Sequence, residues 1–363
     1  MQRDKRIVVK VGTKVITSKE RSLDRERIKD IVGQVSDIRD NGIETILVTS
    51  GAIGAGMWTL GMKRRPSKLE QLQATASIGQ NLLMQVYSEY FRERGYIAAQ
   101  ILLTQEDFNN RSRYLNIKHT LETLLKHGAV PVINENDTVA TEEIRCGDND
   151  RLSSLVADLC RADRLIILTD VDGLMDEEGK VIPNVYDISA KILRLGGKSR
   201  CDLGTGGMAT KIASARAATK AGITCVIANG RTKGVLCRIV LQGERLGTTF
   251  ESGKEKYAAR KRWIAFSSRP KGVIRVDEGA KAALCERDRS LLASGITSVS
   301  GDFSSGDVIS IADSEGREFG RGVAGYSSGE ISRIKGKRST EIAAVLGYKG
   351  REEVIHKDNL VIL

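Results

Sequence analysis

The sequence predicts an α/β domain with a mainly parallel open sheet sandwiched by helices, followed by a small β-rich barrel or sandwich. Three observations carry this. Through about the first 250 residues, short continuous apolar runs alternate with amphipathic helical patterns, the signature of a buried parallel sheet. After Phe250 the pattern turns polar and basic, then becomes a series of short β-like segments with frequent glycines. The length, 363 residues, accommodates two such units. The expected bounds are 1–252 for the α/β domain, 253–271 for a basic linker and 272–363 for the β-rich domain.

The elements follow in order. Arg6 to Lys10 (RIVVK) is a β-branched run ending at Gly12. From Ser22 to Gly42, residues Ile28, Ile31, Val32, Val35 and Ile38 recur at helical spacing, and Asn41-Gly42 is a stop signal. Thr45 to Thr49 (TILVT) is the second strand. Pro66-Ser67 opens a long helix that ends at Gly95, with Ser67 and Glu70 spaced as a capping box. Further strands are expected at Ile97 to Leu103, Ala129 to Asn134, Leu165 to Thr169 and Thr224 to Ala228, with helices near 112–127, 150–160 and 208–221 between them. Beyond the connector, VIRV, ITSV, DVISI, FGRGVAGY and NLVIL read as strands, interrupted by one helix-like piece, Asp277 to Cys285.

Composition narrows the function. Apolar residues make up 40%, enough for a sizeable core. No run of ~18 apolar residues occurs, which argues against a transmembrane helix, and the start MQRDKRIVVKVG has no apolar signal region. The six cysteines are scattered without a CxxC pair, so neither a zinc site nor a disulfide framework is expected, and a reducing cytosol fits. The net charge of +11 raises nucleic acid as a partner, with small anions such as phosphates and carboxylates as the alternative.

In an open α/β sheet, ligands bind beyond the carboxyl ends of the strands. Polar and glycine residues gather there: Lys10 to Lys14 after the first strand, Ser50 to Gly56 (SGAIGAG) after the second, Asn134 to Asp137 after the fourth and Thr169 to Gly173 after the fifth. Gly51 and Gly12 form a candidate phosphate nest, although such glycines also serve as plain turns. No Walker A signature occurs, and no GxGxxG follows a strand of the α/β segment. Lys10 ends a buried strand, where a charge needs a counterion or an anionic ligand, and Lys211 closes the glycine loop GTGGMATK. The GDNDR stretch at 147–151 reads either as an acidic helix cap or as carboxylates and amides that orient lysines or hold a substrate ammonium. Asp170 and Asp172 read equally as turn formers. His119 and His127 read as structural or surface residues, Cys146 as ordinary packing, and Trp58 as core packing rather than a partner of the glycine turn.

Together KVGT (10–13), TSGAIGAG (49–56), VINENDTV (132–139), GDNDRLSS (147–154), LTDVDGL (168–174) and GTGGMATK (204–211) resemble the amino acid kinase superfamily and, within it, the glutamate 5-kinase family. The resemblance covers essentially the whole chain, and the C-terminal segment is similar to a PUA domain. It implies phosphorylation of the γ-carboxylate of L-glutamate by ATP with Mg²⁺, the first step of proline synthesis, in the cytoplasm. Lys10 and Lys211 would neutralise the transferred phosphoryl group and Asp150 would position them. Ser50, Asp137 and Asn149 would bind glutamate. Lys10, Thr169, Asp170 and the loop Thr205, Gly206, Gly207, Met208, Ala209, Thr210 and Lys211 would contact ATP. The family usually continues LTDVDGL with an aromatic and a DPR-like turn. Here Met175 to Lys180 follows instead, which leaves the nucleotide-side contacts of that loop open. Feedback inhibition by proline, a homo-dimer or homo-tetramer, and hand-over of the product to the next enzyme of the pathway are further implications.

The chemistry agrees with the composition. A carboxylate is already an ionised nucleophile at neutral pH, so no general base is needed and the presence of only three histidines is no obstacle. Mg²⁺ leans on substrate phosphates, so no dedicated protein metal cluster is expected. Two other functions compete: RNA binding through the C-terminal domain, and a kinase with another acceptor, such as aspartate or a nucleoside monophosphate. Residues 272–363 hold 13 basic and 14 acidic residues, while 251–271 hold seven basic and two acidic. The positive excess therefore lies in the catalytic segment and the connector, not in the part that resembles an RNA-binding fold.

Overall fold

A computed structural model describes residues 4–18, 22–140, 149–197, 207–253, 261, 263–267, 270–287, 289–348 and 350–363. The chain divides into two compact units, Met1–Lys256 and Tyr257–Leu363.

The first unit carries eight strands: β1 (Arg6–Val11), β2 (Glu44–Val48), β3 (Ala98–Leu103), β4 (Val130–Glu135), β5 (Arg164–Thr169), β6 (Asn184–Val185), β7 (Thr224–Asn229) and β8 (Thr248–Phe250). They form one sheet in the order β3-β4-β2-β1-β5-β7-β8-β6. Every pairing is parallel except β7 with β8. The six strands expected from apolar runs are all present. The short strands β6 and β8 were not legible, because two or three residues are too few to show a period.

The central strand is buried on both faces, and its alternation separates two environments. Ile7, Val9 and Val11 join a core with Ile28, Ile31 and Val35 of the helix Arg25–Asp40 and with Leu83 and Tyr87 of the helix Leu69–Glu93. Lys10 therefore faces the other side, the side on which the helix Asn149–Leu159 packs against β1 and β5 and the helix Met208–Lys220 packs against Asn149–Leu159. Strand pleating alone thus delivers Lys10 to the helix that begins with Asn149 and Asp150.

Two expectations fail locally. The long helix starts at Leu69 with Lys68 as its N-cap and no side-chain cap bond, so Ser67 lies one residue too early to form the box. Trp58 is 54% exposed rather than in the core. The helix Ala52–Thr59 meets Leu69–Glu93 through its small residues instead: a Cβ added to Gly56 would lie 1.9 Å from Thr75 O, and one added to Gly79 would lie 1.8 Å from Ala52 O. Backbones that close leave the large residue at position 58 to the outer face. His119 and His127 are exposed, as expected, whereas Cys146 lies outside the described residues.

The second unit holds β9 (Gly272–Val276), β10 (Leu291–Leu292), β11 (Ile296–Gly301), β12 (Val308–Ala312), β13 (Glu318–Val323), β14 (Glu353–Ile355) and β15 (Leu360–Ile362). Five strands form a sheet in the order β11-β9-β12-β13-β15, and β10 pairs with β14. Its core includes Ile274, Val276, Ile309, Ile311, Tyr326 and Ile331. Besides the anticipated helix, here Glu278–Arg287, it contains Ser328–Ile334, closed by a Ser327/Glu330 capping box, and Ile342–Leu346. The basic stretch before it is not only connector: Trp263, Ile264 and Ala265 are buried, and Arg321 Nη1 donates to Ala265 O at 2.9 Å. Among the described residues no helix is long and apolar enough to cross a membrane.

Candidate active site

The sheet order has a switch point at β1. The chain leaves β1 toward β2 on one side and returns to β5 on the other, so a crevice opens beyond the carboxyl ends of these strands. Lys10 comes from β1, Thr49 and Ser50 follow β2, Asn134 is the last residue but one of β4, and Thr169 ends β5.

One carboxylate organises the middle of this crevice. Asp150 Oδ1 lies 2.6 Å from Lys10 Nζ, and Asp150 Oδ2 lies 3.0 Å from Lys211 Nζ. Thr210 Oγ1 donates to the same Oδ2 at 3.0 Å. All three charged side chains are buried. Burial by itself would raise the Asp150 carboxyl, but the Lys10 and Lys211 ammonium groups pull it below the ordinary carboxylate value. Lys211 is lowered by burial, which Asp150 offsets only in part. Two buried lysines meet on one buried carboxylate, and Asp170 adds a weaker pull on Lys211. Cations held in this way can receive an anion.

The acceptor side lies toward β2 and β4. Asn149 Nδ2 donates its two hydrogens to Thr49 O at 2.6 Å and to Asn134 Oδ1 at 2.8 Å, with Ser50 Oγ 3.0 Å away. Asn149 Oδ1 is buried without a hydrogen-bond partner among the described residues. Asp137 sits in the turn after β4, in the lining of a cavity of about 250 Å³ that also includes Gln80, Asn81, Glu135 and Asn136. Burial pushes the Asp137 carboxyl up to about 6, opposed by Arg65. The geometry joins Ser50 directly to Asn149, while Asp137 belongs to the adjoining cavity.

Glycines shape the mouth. Gly51 adopts φ +100 as the N-cap of Ala52–Thr59, a conformation that favours glycine. Gly12 differs from the expectation of a phosphate nest. Its N–H already donates to Leu168 O at 3.0 Å, so what Gly12 supplies is space: an added Cβ would stand 3.0 Å from Leu168 O and 3.8 Å from Lys10 Nζ.

The far side lies toward β5 and β7. Thr169 is buried, and Lys14 Nζ lies 2.9 Å from an Asp170 carboxylate oxygen. Burial would raise Asp170, but this bond from Lys14 brings it below its ordinary value. Asn229 Nδ2 donates to Asp172 at 2.8 Å, and both line a cavity of about 370 Å³ with Val181, Pro183 and Arg245. The divergent stretch at 175–180 closes on itself: Asp176 Oδ1 accepts from the Glu178 and Lys180 N–H groups, and Met175 pairs with Val181. Gly207 caps the helix Met208–Lys220, whose first turn holds Met208, Ala209 and Thr210. Thr205 and Gly206 lie outside the described residues.

Sequence reasoning had assigned no role to Asn134, Gln80 or Lys14. Asn134 stood inside a quoted motif, but its value comes from pairing with Asn149, which no linear spacing reveals. Thr210, expected at the nucleotide, also reaches Asp150 through its hydroxyl.

Comparison with known proteins agrees with this architecture. The amino acid kinase family model matches residues 5–229, and the PUA domain model matches 272–346. The chain is similar to the glutamate 5-kinase of Caldanaerobacter subterraneus subsp. tengcongensis, with 49% identity over 99% of this chain and 98% of that one. It is 48% identical to the glutamate 5-kinase of Thermus thermophilus over 99% of this chain and 97% of that one, and 44% identical to that of Geobacter sulfurreducens over 99% and 98%. With family models matched in both parts and relatives of this identity along nearly its whole length, the chain belongs to the amino acid kinase family and, within it, to the glutamate 5-kinases.

Proposed function

We propose that the protein transfers the γ-phosphoryl group of ATP to the γ-carboxylate of L-glutamate, giving γ-glutamyl phosphate and ADP, in the cytoplasmic first step of proline synthesis. The observation that carries the reading is the buried Lys10–Asp150–Lys211 cluster at the switch point, in a chain whose full-length relatives bear that name.

The substrate carboxylate is the nucleophile. One of its oxygens bonds to the γ-phosphorus as the bond from phosphorus to the β,γ-bridging oxygen breaks, and ADP leaves with that electron pair. No proton has to move, so the work of the protein is alignment and charge neutralisation. Lys10 and Lys211 offset the repulsion between the two anions, and Asp150 keeps both ammonium groups aimed at the crevice. Losing one such group costs about 3 kcal/mol in the barrier. On the acceptor side, Asn149 Oδ1 and the Asp137 carboxylate take the substrate ammonium, and Ser50 fixes the Asn149 amide. On the nucleotide side, Thr169, Asp170 and the segment 205–211 hold ATP. Among the described residues no group of three His, Cys, Asp or Glu is placed for a metal ion. Mg²⁺ bound with the nucleotide would spread charge away from the phosphates.

Residues 1–252 are read as the catalytic domain, 253–271 as a basic linker and 272–363 as the PUA-like domain. Proline is read as an inhibitor competing at the glutamate side, and a homo-oligomer as the working form. ADP release measured with Mg²⁺-ATP and glutamate, aspartate or UMP as acceptor tests the function. Turnover with glutamate alone supports it, and turnover with either other acceptor in place of glutamate sinks it. Inhibition by millimolar proline at subsaturating glutamate checks the regulatory part.

A further inference from the structure

Two backbone groups fix the direction of a chain of three side-chain amides. The Thr49 carbonyl can only accept, and Asn149 Nδ2 gives it a hydrogen at 2.6 Å. The Glu135 N–H can only donate, and it donates to Asn134 Oδ1 at 2.9 Å. Asn134 Oδ1 also receives Asn149 Nδ2, so Asn134 Nδ2 must point away, and it donates to Gln80 Oε1 at 2.8 Å. Reversing any one amide would set oxygen against oxygen or N–H against N–H. The order Gln80, Asn134, Asn149 therefore has one polarity.

That polarity has a consequence at each end. At Asn149 it turns Oδ1 away from the two oxygens that Nδ2 meets and leaves it buried with no hydrogen-bond partner among the described residues. At Gln80, which is 9% exposed, it leaves Nε2 without a partner among the described residues, in the lining of the cavity that contains Asp137. Gln80 is held there by its neighbour: Gly79 allows the helix Leu69–Glu93 to approach Ala52 more closely than any side chain permits.

We propose that Gln80 is a positioning residue for the acceptor amino acid. It acts through Asn134 to hold the Asn149 carbonyl oxygen toward the substrate ammonium, which rests on the acceptor reading given above. Without Gln80 Oε1, Asn134 Nδ2 is a buried donor with nothing to meet. The Asn134 amide is then no longer anchored at its donor end, and its hold on Asn149 loosens.

The test is steady-state kinetics of the full chain with Gln80→Met, which keeps the length and removes the acceptor, alongside Asn134→Ala and the double variant. The expected result is a glutamate KM raised about tenfold in Gln80→Met, with kcat and the ATP KM within about twofold, and a double variant no worse than Asn134→Ala alone. A folded Gln80→Met with unchanged glutamate KM, an equal loss toward both substrates, or additive effects would each overturn the proposal. If Gln80→Met does not fold, as judged by thermal melting, Gln80→Glu replaces it. That variant keeps an oxygen toward Asn134, so a glutamate KM within about threefold of wild type is expected, and a tenfold rise overturns the proposal. Wild-type turnover of glutamate is the control: its absence would remove the acceptor reading itself, whereas its presence beside an unmoved KM removes only the role of Gln80.

Discussion

Asp150 Oδ1 stands 2.6 Å from Lys10 Nζ, with the aspartate side chain 2% and the lysine 7% exposed. Neither charge is tolerable there alone. Desolvating an isolated ion costs several kcal/mol, and the pair recovers this only through close contact. Because Lys211 uses the second oxygen of the same carboxylate, the protein sacrifices some stability to keep two cations at one point.

Replacing Asp150 by Asn keeps the shape and removes the charge. We expect activity to fall by about 10²-fold to 10³-fold and stability by about 3 kcal/mol, because two buried ammonium groups lose their counterion. Lys211 is already lowered by burial, and the variant takes away the partner that resists this. Activity that requires charged Lys211 is lost as pH rises through its pKa. The alkaline limb of the pH–rate profile should therefore move to lower pH in Asp150→Asn, and an unmoved limb would argue against the charge role of Lys211.

Asp137 gives the complementary prediction on the acid side. Its carboxyl sits at about 6 before substrate binds, and it must be ionised to meet the substrate ammonium. The glutamate KM should rise as pH falls below about 6, approaching tenfold per unit, while the ATP KM stays level. Asp137→Asn should raise the glutamate KM at neutral pH and flatten this dependence. Stability runs the other way. The folded state holds this proton more tightly than the unfolded chain does, so the contribution of Asp137 declines as pH rises from about 4 to 6. Asp137→Asn should therefore be more stable than wild type at pH 7, by on the order of 1 kcal/mol, and melt at a higher temperature.

Glycines of different surroundings should respond in opposite directions. Gly79→Ala drives a Cβ into Ala52 O and forces apart the two helices that position Gly51 and Gln80. We expect a loss of about 3 kcal/mol or more together with a higher glutamate KM. Gly33, within Arg25–Asp40, has nothing within 4 Å of an added Cβ. Gly33→Ala should stabilise by up to about 1 kcal/mol and leave kinetics unchanged. Thermal melts of both variants check this.

The layout of the first unit was legible because its six main strands are continuous apolar runs, each long enough to be seen. Lys10 was legible as a charge at the end of such a run. The partners of these residues were less so. The meeting of Asp150 with both lysines followed from resemblance, and the contact of Thr210 with Asp150 needed the helix Met208–Lys220 in place. Gln80 looked like any polar residue on a helix, since its value depends on Asn134 in a distant strand. Trp58 was misread because local hydrophobicity cannot foresee a glycine-mediated helix contact. The added helices of the second unit span only seven and five residues, too short for a 3.6-residue period to emerge.

The most direct test of the account is to run the reaction with Mg²⁺-ATP and glutamate in the presence of hydroxylamine, which captures an acyl phosphate as a hydroxamate. The account predicts glutamyl hydroxamate formed in step with ADP, and losses of about 10²-fold or more in Lys10→Ala, Asp150→Ala and Lys211→Ala. ADP released without hydroxamate by the folded wild-type protein, or near-wild-type rates in all three variants, would contradict it.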